Sequence, residues 1–214
     1  MPDDGIAEVL WVEEMLAAGG DSCTSTPPVA GIVAQCDLSL RHTEQYLQAL
    51  IQASPRRLRG IRYILDYDGP YQQGDHNGTH VACSRHHLDY LRNPQASEAF
   101  AVGLGLLSKY NLSFDLQCAP AQLPAAVDLL KRYPHVRVCL NHMGKPQHLA
   151  IEKCPPSSTD EQDPDQIRSY VIPETTAQKL VVWRHGMQLL ATLPQACVKL
   201  SMLGYAVPGN NAAQ

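Results

Sequence analysis

Apolar and polar positions along this chain fall into blocks whose period switches between that of a helix and that of a buried strand. Residues 6–18, IAEVLWVEEMLAA, repeat apolar positions at helical spacing and stop at Gly19-Gly20. VAGIVAQCDL (29–38) is a continuous apolar run of strand length. TEQYLQALIQA (43–53) is an amphipathic helix with Thr43 as its candidate cap, and LRGIRYILDY (58–67) is the next strand. After a stretch rich in Gly, His, Asp and Asn (68–87) come a helix over 95–109 and the strand LSFDLQC (112–118). A helix over 120–133 and the strand-plus-loop VRVCLNHMGKP (136–146) follow. Residues 147–175 are rich in Pro, Ser and Asp and read as an extended loop or insertion. A helix over 176–192 and the strand ACVKLSML (196–203) close the pattern.

Five buried-type strands separated by helices predict a parallel sheet of βαβ units. Two architectures fit: an open doubly wound sheet and a closed barrel. A full barrel takes roughly 250 residues and eight strands, more than the 214 residues and five strands found here. Periodicity alone does not choose between them.

Composition narrows the function. A formal net charge of −4 argues against nucleic acid as a partner, since that footprint needs clustered Lys and Arg. No stretch approaches the roughly 18 uninterrupted apolar residues of a membrane span, and the acidic start MPDDGIAEVLW lacks the pattern of a signal peptide. The seven cysteines are odd in number and widely spaced, with no C-x-x-C. They read as reduced thiols of a cytoplasmic protein.

Parallel sheets of both kinds gather their chemistry at the carboxyl ends of the strands. Five places there carry polar residues. Arg62 lies within LRGIRYIL, where a guanidinium needs an anion because it cannot lose its charge. Substrate clamp is one reading and an ion pair with Asp66 or Asp115 the other. Asp115 and Gln117 share one face of LSFDLQC, opposite Phe114, Leu116 and Cys118. Asp115 reads as a base, a ligand or simply the partner of Arg62. Asn141-His142 ends a strand before a Gly-containing turn, which suits a metal ligand, a proton-transfer group or an electrophile. Lys145 and Pro146 then shape the turn. Lys199 and Ser201 share a face of ACVKLSML, where a buried Lys either pairs with a carboxylate or shifts its pKa for catalysis. His76, His80, His86 and His87 form a histidine-rich loop without the H-E-x-x-H pattern of a zinc helix. No G-x-S-x-G elbow, P-loop or dinucleotide fingerprint occurs, and Gly103 and Gly105 fall within a helix.

LRGIRYIL (58–65), LSFDLQ (112–117), PAQLPAAVDLLKRYPHVRVCLNHMGKP (120–146) and VKLSMLG (198–204) resemble, in order, successive strand regions of the amidohydrolase-related family. More narrowly, they resemble its metal-dependent hydrolases and its sugar-acid or pyrone lactonases. The resemblance covers residues 29–204 apart from the loops. It implies a (β/α)8 TIM barrel that hydrolyses a cyclic ester. His142 then matches the strand-six His that polarises the carbonyl or binds metal, and Arg62 the strand-four Arg that holds an anionic group. Asp115, Gln117, Lys199 and Ser201 match positions lining the barrel, and with Arg62 and Asn141 they are the expected substrate-binding residues.

The departures from the family pattern are as informative. No H-x-H and no strand-eight G-S-D or G-S-N segment occurs in the 214 residues. On the family layout this is a single incomplete α/β barrel domain over 1–214, lacking strands 1, 2 and 8, with loop insertions at 68–94 and 147–175. No cofactor is expected in this chain. His142 is its only family-matched candidate for a metal, and zinc is an expectation for a full-length member. The expected partner is a small-molecule substrate, with a homo-oligomer or another chain covering open sheet edges. Besides a lactonase-like hydrolase impaired as a fragment, a non-catalytic remnant and a related decarboxylase remain as alternatives.

Overall fold

The structure, a computed structural model, describes residues 5–18, 29–67, 88–146, 149–150, 152–153, 170–202 and 206. Helix α1 (Gly5–Ala18) precedes strand β1 (Ile32–Gln35), followed by α2 (Thr43–Ala53), β2 (Leu58–Ile64), α3 (Pro94–Lys109) and β3 (Ser113–Gln117). A 3-10 turn at Pro120–Gln122 leads into α4 (Leu123–Lys131), then β4 (Val138–Leu140) and a short turn at Asn141–Gly144. Within the predicted insertion, β5 (Glu152–Lys153) pairs antiparallel with β6 (Tyr170–Val171). Helix α5 (Glu174–Leu190) and β7 (Ala196–Val198) complete the described chain.

The five main strands are all parallel and stand in the order β1-β2-β3-β4-β7. Each crossover therefore moves the chain one strand further in the same direction. With right-handed crossovers this keeps the connecting helices on one face, whereas a doubly wound sheet must reverse its order. The architecture left open by periodicity is thus an arc of a (β/α) barrel. In this sheet β1 and β7 each have one neighbour.

Register divides the strand residues between two faces. Ala34, Ile61, Phe114, Val138 and Ala196 align across the sheet, as do Tyr63, Leu116, Leu140 and Val198. These rows pack beneath Leu47 and Leu50 of α2, Phe100, Leu104 and Leu107 of α3, and Leu123, Val127 and Leu130 of α4. Phe100 stands edge-on to Phe114 with centroids 5.6 Å apart, a favoured aromatic geometry. The intervening row Gln35, Arg62, Asp115, Cys139 and Cys197 faces the opposite, concave side of the arc.

Local chemistry sets the helix ends. Asn93 caps α3 by accepting from the Ala96 amide at 3.0 Å, with Pro94 at the first helical position. Thr43 is not the cap expected from the sequence. His42 occupies that position without a side-chain bond, and the Thr43 hydroxyl donates back to the Leu40 carbonyl at 2.6 Å. Gln122, fully buried, replaces backbone partners at the loop junctions. It accepts from the Tyr67 and Ala119 amides and donates to Leu65 O and to Asp89.

Candidate active site

Four parallel strands deliver polar groups to one end of the concave face. From β2 and the residues just beyond it come Arg62 and Asp66; from β3, Asp115 and Gln117. The turn after β4 supplies Asn141, His142 and Lys145, and the segment after β7 supplies Lys199 and Ser201. Every site residue expected from the sequence and numbered above 87 lies in this group or in these strands. His76, His80, His86 and His87 lie outside the described residues.

The pairing differs from expectation. Asp115 is not the partner of Arg62: its carboxylate receives the Lys199 ammonium. Asp66 receives the Lys145 ammonium, in a pair whose side chains are only 6% and 12% exposed. Arg62 instead donates to Gln117 Oε1 at 2.7 Å, and Gln117 Nε2 donates to Asp66 Oδ2 at 3.3 Å. Among the described residues Arg62 has no carboxylate within ion-pair distance, and its Nε is buried without a partner. Asp66 Oδ1 and Asn141 Oδ1 are likewise buried and unpartnered. Unsatisfied buried polar atoms carry a desolvation cost, and three of the five among the described residues lie in this group.

Asp66 and Lys145 are the members of this group that the sequence pattern does not single out. Asp66 was named only as a partner for Arg62, and Lys145 only as a shaper of its turn. A signal for Asp66 was present: it follows Arg62 by four residues and so continues the same strand face. Lys145 depends on backbone geometry that no pattern shows. His142, Met143, Gly144 and Lys145 have φ of 55°, 55°, 70° and 56°. Such a left-handed run costs on the order of 1–2 kcal/mol for each non-glycine residue and persists only where its surroundings enforce it. The enforcing bonds are the Met143 amide to Lys199 O at 3.0 Å, Trp183 Nε1 to Met143 O at 2.7 Å, and the Lys145–Asp66 pair. The turn swings His142 and Lys145 onto the concave end together.

His142 Nδ1 lies 2.9 Å from the Ser201 hydroxyl, leaving Nε2 for another partner. Partial burial, followed by the charges of Arg62, Lys199 and Lys145, holds its pKa below the usual 6.5, with Asp66 opposing. The imidazole is therefore neutral at pH 7. Because the unfolded chain binds that proton first, His142 lowers stability progressively as pH falls from about 6.5 toward its folded pKa. NMR titration of His142 should give a midpoint below 6.5, and Arg62→Met should move it upward. A midpoint above 6.5 would contradict the cation-lined environment.

Zinc fits this donor set poorly. Both carboxylates are already neutralised by ammonium groups. Among the described residues no three His, Cys, Asp or Glu side chains are grouped to hold a metal, whereas a zinc site takes at least three protein ligands. Nor is any described helix long and apolar enough to cross a membrane.

An arc of parallel strands with inward polar groups at their carboxyl ends defines a partial (β/α)-barrel. The amidohydrolase family model matches residues 17–213, and the chain belongs to that family. No curated protein gives a significant match. Two crystal structures of an amidohydrolase from Burkholderia multivorans, one with bound HEPES and one with bound zinc, share the fold. The TM-score is 0.56 for each, with 19% and 20% identity over 92% and 95% of this chain. The matches cover 52% of the Burkholderia chains, so this chain spans about half their length.

Proposed function

We propose that this chain supplies the anion-binding and carbonyl-polarising part of a hydrolase that opens an anionic cyclic ester, such as the lactone of a sugar acid. The observation that carries the reading is the juxtaposition of Arg62, a cation without a carboxylate partner among the described residues, with a His142 kept neutral by partial burial and by the cations around it. Arg62 holds the substrate's carboxylate through charge-assisted hydrogen bonds. His142, with Ser201 donating to Nδ1, offers its Nε2 proton to the lactone carbonyl as charge develops on that oxygen. The Lys145–Asp66 and Lys199–Asp115 pairs fix the turn and the edge strand that carry His142 and Ser201. The four described cysteines are free thiols, in keeping with a cytoplasmic setting.

The test is proton release from anionic and neutral lactones at pH 7.5, with calorimetric binding of the same compounds. Arg62→Met should raise KM or Kd for the anionic lactone by about tenfold or more, the worth of a hydrogen bond to a charged group, and leave neutral lactones unchanged. His142→Asn should lower turnover while binding persists. Absence of both binding and ring opening would rule the reading out.

One observation favours a second reading. A sheet with single-neighbour edges at β1 and β7 suits a binding protein whose edges are covered by another chain or a second copy. That reading expects lactone binding without turnover, in an assembly larger than a monomer.

A further inference from the structure

The four described cysteines divide into two kinds. Cys36 and Cys118 are buried, and burial pushes the Cys36 thiol up to about 12 and that of Cys118 higher still, so both are inert. Cys139 and Cys197 lie elsewhere: they are register partners on β4 and β7 and share the concave face. Cys197 is exposed and Cys139 half-buried. Parallel neighbours lie about 4.8 Å apart, inside the roughly 4.4–6.8 Å window of Cα separations that a disulfide spans. Closing the bond asks the two Cβ atoms to approach. That is feasible because, among the described residues, β7 pairs with β4 alone and can shift without breaking a second ladder.

We infer that Cys139 and Cys197 form a cross-strand dithiol that hydrogen peroxide closes reversibly to a disulfide on the concave face. The exposed Cys197 reacts first. Its sulfur attacks one peroxide oxygen, the O–O bond breaks, and a sulfenic acid and one water form. Cys139 sulfur then attacks the sulfenyl sulfur, the S–O bond breaks, its proton leaves with the oxygen as a second water, and the S–S bond remains. Two electrons pass from the two sulfurs to the peroxide, so two thiols and one peroxide give one disulfide and two waters. Burial and the neighbouring thiol hold the Cys139 pKa up at about 11, so it is the less reactive thiol towards peroxide and follows Cys197. In that second step the adjacent sulfenic acid supplies proximity in place of thiolate concentration. The bond would staple the edge strand that carries Lys199, two residues beyond Cys197, beside Asp115, the other register neighbour of Cys139.

The sequence makes the site easy to map, because the tryptic peptides 138–153 and 185–199 hold one cysteine each. The reduced full chain is treated with stoichiometric hydrogen peroxide, its remaining thiols are alkylated, and the digest is analysed by mass spectrometry. The expected result is a 138–153/185–199 linked pair, a loss of two titratable thiols, and full recovery with dithiothreitol. Cys139→Ser should abolish the link and let Cys197 proceed to sulfinic acid. An unchanged thiol count, a link to any other cysteine, or a Cys197–Cys197 bond between copies would overturn the inference.

Discussion

Asp66→Ala should destabilise the chain by about 3–5 kcal/mol, the range for removing one partner of a buried ion pair. The Lys145 ammonium, 12% exposed in its side chain, would be left without its counter-charge, and Gln117 Nε2 would lose an acceptor. The strained turn would lose one of its restraints at the same time. Denaturant titration followed by far-ultraviolet circular dichroism measures the loss. The double variant Asp66→Ala/Lys145→Met should recover much of it, because the stranded charge is what costs most and an apolar side chain of similar length fills the same space. Asp128→Ala, which breaks the exposed pair with Lys131, should change stability by less than about 1 kcal/mol. If Asp66→Ala behaved like Asp128→Ala, the pair would be a surface contact and the site more open than described.

Gly103→Ala and Gly105→Ala should move stability in opposite directions although both lie in α3. A Cβ on Gly103 would overlap the Leu38 carbonyl oxygen and come within 2.8 Å of the carbonyl carbon, both fixed backbone atoms. The helix gains about 1 kcal/mol from alanine's propensity, but overpacking against backbone outweighs it, for a net loss of roughly 2–3 kcal/mol. A Cβ on Gly105 meets only the Tyr133 ring, at 2.9 Å. That ring is half-buried and can swing aside, so the propensity gain survives and the variant should be neutral or more stable by up to about 1 kcal/mol. Midpoints of thermal or urea unfolding for the two variants check the contrast. Equal effects would mean that α3 does not lie against the loop after β1 as closely as described.

Much of this molecule was legible in its residues. The helix over 43–53 follows from an unbroken 3.6-residue apolar period, and the two faces of β3 follow from the alternation of Phe114 and Leu116 with Asp115 and Gln117. The strands β1, β4 and β7 are shorter than their apolar runs, because a ladder needs a register partner on the neighbouring strand, which apolar content does not record. At the site, sequence reasoning left Arg62 between a substrate clamp and an ion pair with Asp66 or Asp115, whereas the guanidinium reaches Gln117, and Asp115 is the carboxylate that meets Lys199. Which cation meets which carboxylate depends on differences of a few ångströms between strands far apart in the chain.

The sequence by itself determined that this is an α/β chain of parallel strands, that its strand ends carry Arg62, Asp115, Gln117, His142, Lys199 and Ser201, and that these segments follow the amidohydrolase order. Periodicity and strand alternation are local properties, and they survive in one dimension. Only the tertiary structure decided that the strands run in unreversed order as an arc, that Arg62 stands without a carboxylate partner among the described residues, and that a left-handed turn brings Lys145 to Asp66. Each of these rests on contacts between residues tens of positions apart, and on a backbone conformation whose cost is borne by those same contacts.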